Sequence, residues 1–176
     1  MALKIINWGK IIPDAYHGTD FDSACKISSD KEFDPSNDED DYLGSGVYFF
    51  ESSRWHAKDW ANRKAKRNGF DSYAIIKAQI DLGRCLDLNN FEHRKYLTTV
   101  VRDFERRGAV DINDAVAINF LAAQMPIDTV RANYVVPEKG KIFKGSRFYD
   151  YSCLMICVRN AEAISNMSID YTGVVI

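Results

Sequence analysis

The chain has no run of 18 apolar residues, so it supports no helical membrane span. Its start, Met1-Ala2-Leu3-Lys4-Ile5, lacks the apolar segment and small-residue cleavage site of a secretory leader. Cysteine is scarce: Cys25, Cys85, Cys153 and Cys157 are too few and too scattered for a disulfide framework. They read as reduced core thiols of a cytoplasmic protein. Cys153 and Cys157 can share one face of a strand, but none of the three histidines lies near them in sequence, and no metal site is expected. Neither His-Glu-x-x-His nor Cys-x-x-Cys nor Gly-x-Ser-x-Gly occurs, which takes most of the case away from metal and serine hydrolysis. A net charge of −2 provides no global field to recruit nucleic acid. No repeat, linker or low-complexity tract divides the chain.

What is present fits one α+β domain over residues 1–176, with 46% apolar residues to build a core. Charge is unevenly spread. Asp30 to Asp41 holds seven acidic residues and one lysine, whereas Arg54 to Arg67 and Lys139 to Arg147 are basic. Such runs are most often solvated faces.

Along the chain, residues 1–14 read as an extended lead-in ending near Pro13, and Ala15 to Thr19 as a short strand. Asp20 or Asp22 can cap a helix over Ala24, Cys25 and Ile27. The acidic segment up to Tyr42 is a polar loop. Tyr73 to Ile80 alternates as a half-buried strand, and Cys85 to Leu88 can form another. Asn90 can cap a helix carrying Leu97, Val100, Val101 and Phe104, and Asp111 opens the next, through Ala115, Ile118 and Asn119. Tyr134 to Val136, Ser152 to Val158 and Ile169 to Ile176 complete the strands, the middle one apolar enough to be central.

One stretch organises the rest. Gly44-Ser45-Gly46-Val47-Tyr48-Phe49-Phe50 reads as a tight turn feeding a strand. Behind it a serine pair opens a helix with Ala57, Trp60, Ala61 and Ala65 at helical spacing up to Gly69. A strand therefore delivers Tyr48 to a helix start, among small residues that permit close approach. His17 sits at a strand end between an aromatic residue and a glycine. Taken singly, His17 is more often a structural hydrogen bonder than a catalyst, and Tyr48 more often core.

Together, Tyr16-His17-Gly18-Thr19 and Gly44-Ser-Gly-Val-Tyr48-Phe-Phe leading to Ala57 resemble the first two signatures of the poly(ADP-ribose) polymerase-like ADP-ribosyltransferases. The firm match covers about residues 15–61. The resemblance implies an ADP-ribosyltransferase-like pair of antiparallel sheets packed at an angle with flanking helices. It implies NAD as co-substrate, with His17 and Tyr48 as catalytic residues and His17, Gly18, Thr19, Gly46, Tyr48 and His56 forming the NAD site. His17 would bond the adenosine-side ribose, Gly18 would pair its backbone with the nicotinamide carboxamide, and Thr19 would add a hydroxyl. Tyr48 would stack on the nicotinamide, worth about 0.5–1.5 kcal/mol beyond burial, and His56 would stand where a serine bonds the carboxamide. A second stacking aromatic would fall at Asp59, with Trp60 one position away. The acidic loop would cover the cleft, and Arg147 or Lys144 would offset it beside the pyrophosphate.

The family's third signature is a glutamate on a late central strand, and here the aligned position is Met155. Losing one preorganised electrostatic group costs on the order of 10²–10³ in rate. Three outcomes stay open. They are a mono-ADP-ribosyltransferase of toxin or effector type, a carboxylate supplied instead by Glu162, Asp150 or Glu138, and a domain that binds NAD or ADP-ribose without turnover. The partners implied are a macromolecular acceptor, protein or RNA/DNA, and a neutralising antitoxin or immunity protein. The helix carrying Arg54, Arg63, Lys64, Lys66 and Arg67, with the loop bearing Lys139, Lys141, Lys144 and Arg147, could flank a cleft and grip the acceptor's phosphates, and Tyr149 and Tyr151 could stack bases beside it.

Overall fold

The computed structural model describes residues 9–38, 41–108 and 112–175. The elements run β1 (Ile11–Asp20), α1 (Phe21–Asp30), β2 (Val47–Glu51), α2 (Arg54–Asn68), β3 (Ser72–Asp81) and β4 (Cys85–Asp87). They continue through α3 (Phe91–Arg106), α4 (Asp114–Gln124), β5 (Thr129–Val135), β6 (Ser152–Val158) and β7 (Ile164–Val174). The fold is mixed α+β. Its seven strands hydrogen-bond in the order β4-β5-β6-β2-β1-β3-β7, antiparallel throughout except for the parallel β4–β5 pair.

The seam between β1 and β2 positions everything that follows. Here the pairing is confined to Ala15↔Glu51 and Tyr16↔Phe50, whereas β1 pairs with β3 along its length to Asp20↔Tyr73. Where a sequence reading suggests two antiparallel sheets, one hydrogen-bonded series is found, held at its middle by two residue pairs. On one side lie β4, β5, β6 and β2; on the other lie β1, β3 and β7.

Local chemistry explains most boundaries. Asp20 caps α1 by accepting from the Ser23 backbone N–H at 2.8 Å, and Lys31 closes that helix in the left-handed conformation. Asn90 caps α3 and Asn113 caps α4 in the same way. The opening expected at Asp111 lies outside the described residues. Helix α2 buries Ala57, Ala61 and Ala65, four apart, and ends at the left-handed Gly69. Because these side chains are small, α2 lies directly on β1. A Cβ on Gly18 would stand 2.4 Å from the Ala57 carbonyl oxygen and 2.9 Å from the Ala61 Cβ.

Several expected boundaries move. Strand β1 starts at Ile11 and runs through Pro13, because a register shift between Ile12 and Ala15 removes the need for an N–H there. Strand β5 starts at Thr129, where Thr129 and Val130 are buried. The polar Arg131 hides that strand in the sequence, since its charge is met internally by Glu51 and Asp87. Strand β7 starts at Ile164 and pairs with β3 from Ile80 onward. Cys85, Cys153 and Cys157 are buried, and burial pushes their thiols up to about 11, 12 and 12. Cys25 is the exception to the core-thiol reading: it is exposed, since α1 buries only Ala24 and Ile27. No described helix is long and apolar enough to cross a membrane.

Candidate functional site

The turn that feeds β2 is clamped from outside. Gly44 takes a φ of 76°, open to glycine at little cost. Ser45 donates its backbone N–H to Asn119 Oδ1 at 2.9 Å, and its hydroxyl accepts from Asn119 Nδ2 at 3.2 Å. Arg159 donates to the Ser45 carbonyl and to Asn119 Oδ1, each at 2.8 Å. At Gly46 a Cβ would meet Cys157 Sγ and the Val158 carbonyl at 2.6 Å, so β6 can approach only a glycine there. Gly46 also bridges to Ser36, tying the acidic loop to the turn.

This clamp fixes Tyr48. Its hydroxyl donates to the Gly44 carbonyl at 2.7 Å and accepts from the Leu43 N–H at 2.8 Å. Burial raises the phenol above its ordinary range. With its hydroxyl engaged and firmly protonated, Tyr48 offers a ring face rather than an acid or base.

His17 reaches across the seam to the backbone of the same residue. Its Nδ1 lies 2.8 Å from the Tyr48 carbonyl oxygen. A carbonyl only accepts, so Nδ1 carries the proton and Nε2 keeps its lone pair. Burial lowers this histidine to about 4, which leaves it neutral at pH 7. Phe33 packs edge-on to the ring at 5.2 Å and Phe49 lies tilted at 5.6 Å, fixing its plane.

Where β1 and β2 part, a cleft of ≈ 620 Å³ opens. His17, Gly18, Thr19, Gly46 and Tyr48 all line it, so the structure brings together five of the six residues singled out in the sequence. His56 stands apart. Its Nδ1 is 2.6 Å from Ser53 Oγ, and its ring packs among Phe50, Trp55 and Tyr151 because the first turn of α2 directs it there. Its Nε2 is buried without a partner. Gly18 also gains a second explanation, since its missing Cβ is required by α2 regardless of any ligand.

The charges around the cleft match expectation only in part. Lys26, Arg63, Lys64 and Lys139 line it, and Lys144 and Arg147 do not. Its carboxylates are Asp20, Glu32, Asp34 and Asp41, from the end of β1 and the acidic loop, while Glu138, Asp150 and Glu162 stay away. Met155 does line it, beside Phe50 across the β2–β6 register. Trp60 lines it too, whereas Asp59 pairs with Arg63 at 2.7 Å. Tyr151 also lines it; it is buried, accepts from Arg63 at 3.0 Å and lies under that guanidinium.

The part that Asn119 and Arg159 play in clamping the turn escaped the sequence reading. The available signal was an amide among the apolar residues of α4 and an arginine directly after the most apolar strand. Chemically, the cleft offers a bare imidazole nitrogen for a hydroxyl, aromatic faces for a planar ring, and cations for phosphate.

No family model matches the chain. It is 31% identical over 182 aligned positions to the uncharacterized protein MJ0359 of Methanocaldococcus jannaschii, covering 86% of this chain and 84% of that one. By this similarity the chain belongs to the same family as MJ0359.

Proposed function

We propose that this protein is an NAD-dependent mono-ADP-ribosyltransferase of toxin or effector type, built on an ADP-ribosyltransferase-like fold. The observation that carries the reading is the bond from His17 to the Tyr48 carbonyl at the mouth of one shared cleft. Two residues remote in sequence are thereby joined where the sheet opens. The cleft volume falls in the range of about 300–1,000 Å³ common for small-molecule sites.

The residues suit the co-substrate. His17, neutral and with Nε2 bare, accepts from a ribose hydroxyl. Tyr48, pinned at its hydroxyl, presents its ring to nicotinamide, and Trp60 is among the other aromatics that line the cleft. Lys26, Lys64 and Lys139 meet the pyrophosphate. In the reaction the bond from ribose C1″ to the nicotinamide nitrogen breaks, and its electron pair neutralises the pyridinium. The acceptor nucleophile then bonds to C1″, and its proton passes to solvent or to a cleft carboxylate. The transition state is oxocarbenium-like, as in glycoside cleavage. Held orientation supplies much of the acceleration.

Met155 favours one second reading, an NAD- or ADP-ribose-binding module with weak turnover, because a thioether cannot steady a cation as a carboxylate does. The test uses NAD labelled in its adenylate half. Transfer of label to macromolecules with release of nicotinamide, lost in Tyr48→Ala, is expected. Calorimetric binding of NAD with no nicotinamide released would favour the module. Absence of both binding and release would overturn the NAD site altogether.

A further inference from the structure

The segment between β5 and β6 does not behave as a loop seeking cover. Its backbone is closed on itself: Ile142 N–H bonds to the Phe148 carbonyl, Ser146 N–H to Phe143, and Asp150 N–H to Gly140. Lys141 and Tyr149 form an isolated bridge, and Ser146 is buried at the centre. Yet Phe143 and Phe148 are 63% and 72% exposed, and Ile142 and Tyr149 stand out beside them. Exposed aromatic groups of this density mark a contact surface rather than a chance of packing. Between and around the rings lie Lys139, Lys141, Lys144 and Arg147, none with a carboxylate partner among the described residues.

The surface continues into the cleft. Lys139 lines the cleft from the loop side, and Trp60, Arg63 and Lys64 line it from α2. The two walls meet at Tyr151, which touches Trp55 at 5.8 Å between ring centroids and Arg63 at 3.0 Å. Trp55 itself is 62% exposed. Cations set among exposed aromatic rings beside a cleft are what a flexible polyanion with stackable bases requires. A bilayer could take up the protruding rings but could not reach the cations inside the cleft.

We infer that the acceptor of this protein is single-stranded nucleic acid, docked along loop 139–150 with its bases on Phe143 and Phe148 and its phosphates on the loop cations. The role of acceptor rests on the transferase reading; the binding itself does not. In the transfer, a nucleophile of the strand bonds to C1″ as nicotinamide leaves with the electron pair of the broken bond, and the strand's proton passes to solvent.

The test measures fluorescence anisotropy of labelled single-stranded and duplex 12-mers, RNA and DNA, with the full chain and no NAD. Single strands are expected to bind more tightly than duplexes. Four neutralised phosphates imply about a 50-fold loss of affinity between about 50 and 200 mM salt. Phe143→Ala with Phe148→Ala should weaken binding about tenfold or more at unchanged salt slope. Lys141→Glu with Lys144→Glu should flatten the slope. NAD binding, read by calorimetry, should be unchanged in both pairs of variants, so a failed NAD site and a failed strand site give different results. Equal affinity for duplex, no single-strand binding at low salt, or binding only to vesicles rich in anionic lipid would each overturn the inference.

Discussion

The cluster around Asp87 and the cleft around His17 are made of the same materials, a histidine with carboxylates and cations, and they are finished differently. At Asp87 every charge is answered. Arg131 donates to both oxygens of Glu51 at 2.6 and 3.0 Å and to Asp87 Oδ2 at 3.0 Å. Asp87 Oδ1 accepts from the backbone and side chain of Asn89. His93 Nδ1 accepts from the Asp87 N–H at 3.0 Å, so its proton sits on Nε2, the opposite tautomer to His17. In the cleft, Lys26, Lys64 and Lys139 find no carboxylate partner among the described residues. Paired charge holds β4, β5 and β2 together. Lysines left unpaired at a cavity are open to an anion from outside.

Breaking the paired cluster should cost most. Arg131→Ala leaves Glu51 and Asp87 buried without their cation, and removing one partner of such a set costs about 3–5 kcal/mol. Urea unfolding measures it. A loss under about 1 kcal/mol would mean that water replaces the guanidinium, and the contrast between the two regions would fail. Gly18→Ala comes next. Its new methyl meets the Ala57 carbonyl, a backbone atom that cannot swing aside, so an overpacking cost of about 1–3 kcal/mol is expected. If NAD binding vanished while stability held, Gly18 would matter to the ligand alone.

The cleft itself should show in the pH dependence. His17 in the folded chain titrates near 4, and an ordinary histidine near 6.5. The unfolded chain therefore takes up a proton that the folded one declines. As pH falls from about 6.5 toward 4 stability drains away, and below about 4 the loss is complete. Between pH 7 and 4.5 this one group removes about 2 kcal/mol. Comparing wild type with His17→Gln in urea at both pH values isolates it from the carboxylates that titrate nearby. Identical pH slopes in the two proteins would mean that His17 is solvated and its tautomer unfixed.

Much of this was legible in the sequence where local rules act alone. Asp20 and Asn90 announce helix starts, Ala57, Ala61 and Ala65 announce a face that packs closely, and Gly44-Ser45-Gly46 announces the turn. His17 and Tyr48 were paired by motif before any geometry joined them. What stayed hidden depends on distant partners. Arg131 looks like a surface residue until Glu51 and Asp87 are seen around it. Asn119 acts on Ser45 across 74 positions. Of the basic residues expected to flank a cleft, Arg63, Lys64 and Lys139 line it and Lys144 and Arg147 do not, while Lys26 was unforeseen, since charge density along the chain does not say which way a side chain faces.

The smallest effect on stability should come from the cleft lysines, and there the contrast is sharpest. Lys64 and Lys139 contribute no ion pair to the fold, so Lys64→Ala with Lys139→Ala should leave stability within about 0.5 kcal/mol of wild type. Relief of mutual repulsion could even raise it slightly. Their effect should fall on the ligand, and only on its charged part. ADP-ribose, which carries the pyrophosphate, should bind several-fold more weakly, consistent with partly exposed charge pairs worth up to about 1 kcal/mol each. Nicotinamide alone has no phosphate and should bind the double variant as well as it binds wild type. Calorimetry with the two compounds separates the outcomes. A loss confined to ADP-ribose assigns the lysines to the phosphate end of the cleft, opposite the Tyr48 ring. An equal loss for both would mean that the lysines shape the cavity rather than answer a ligand's charge, and the difference between the two regions would reduce to packing.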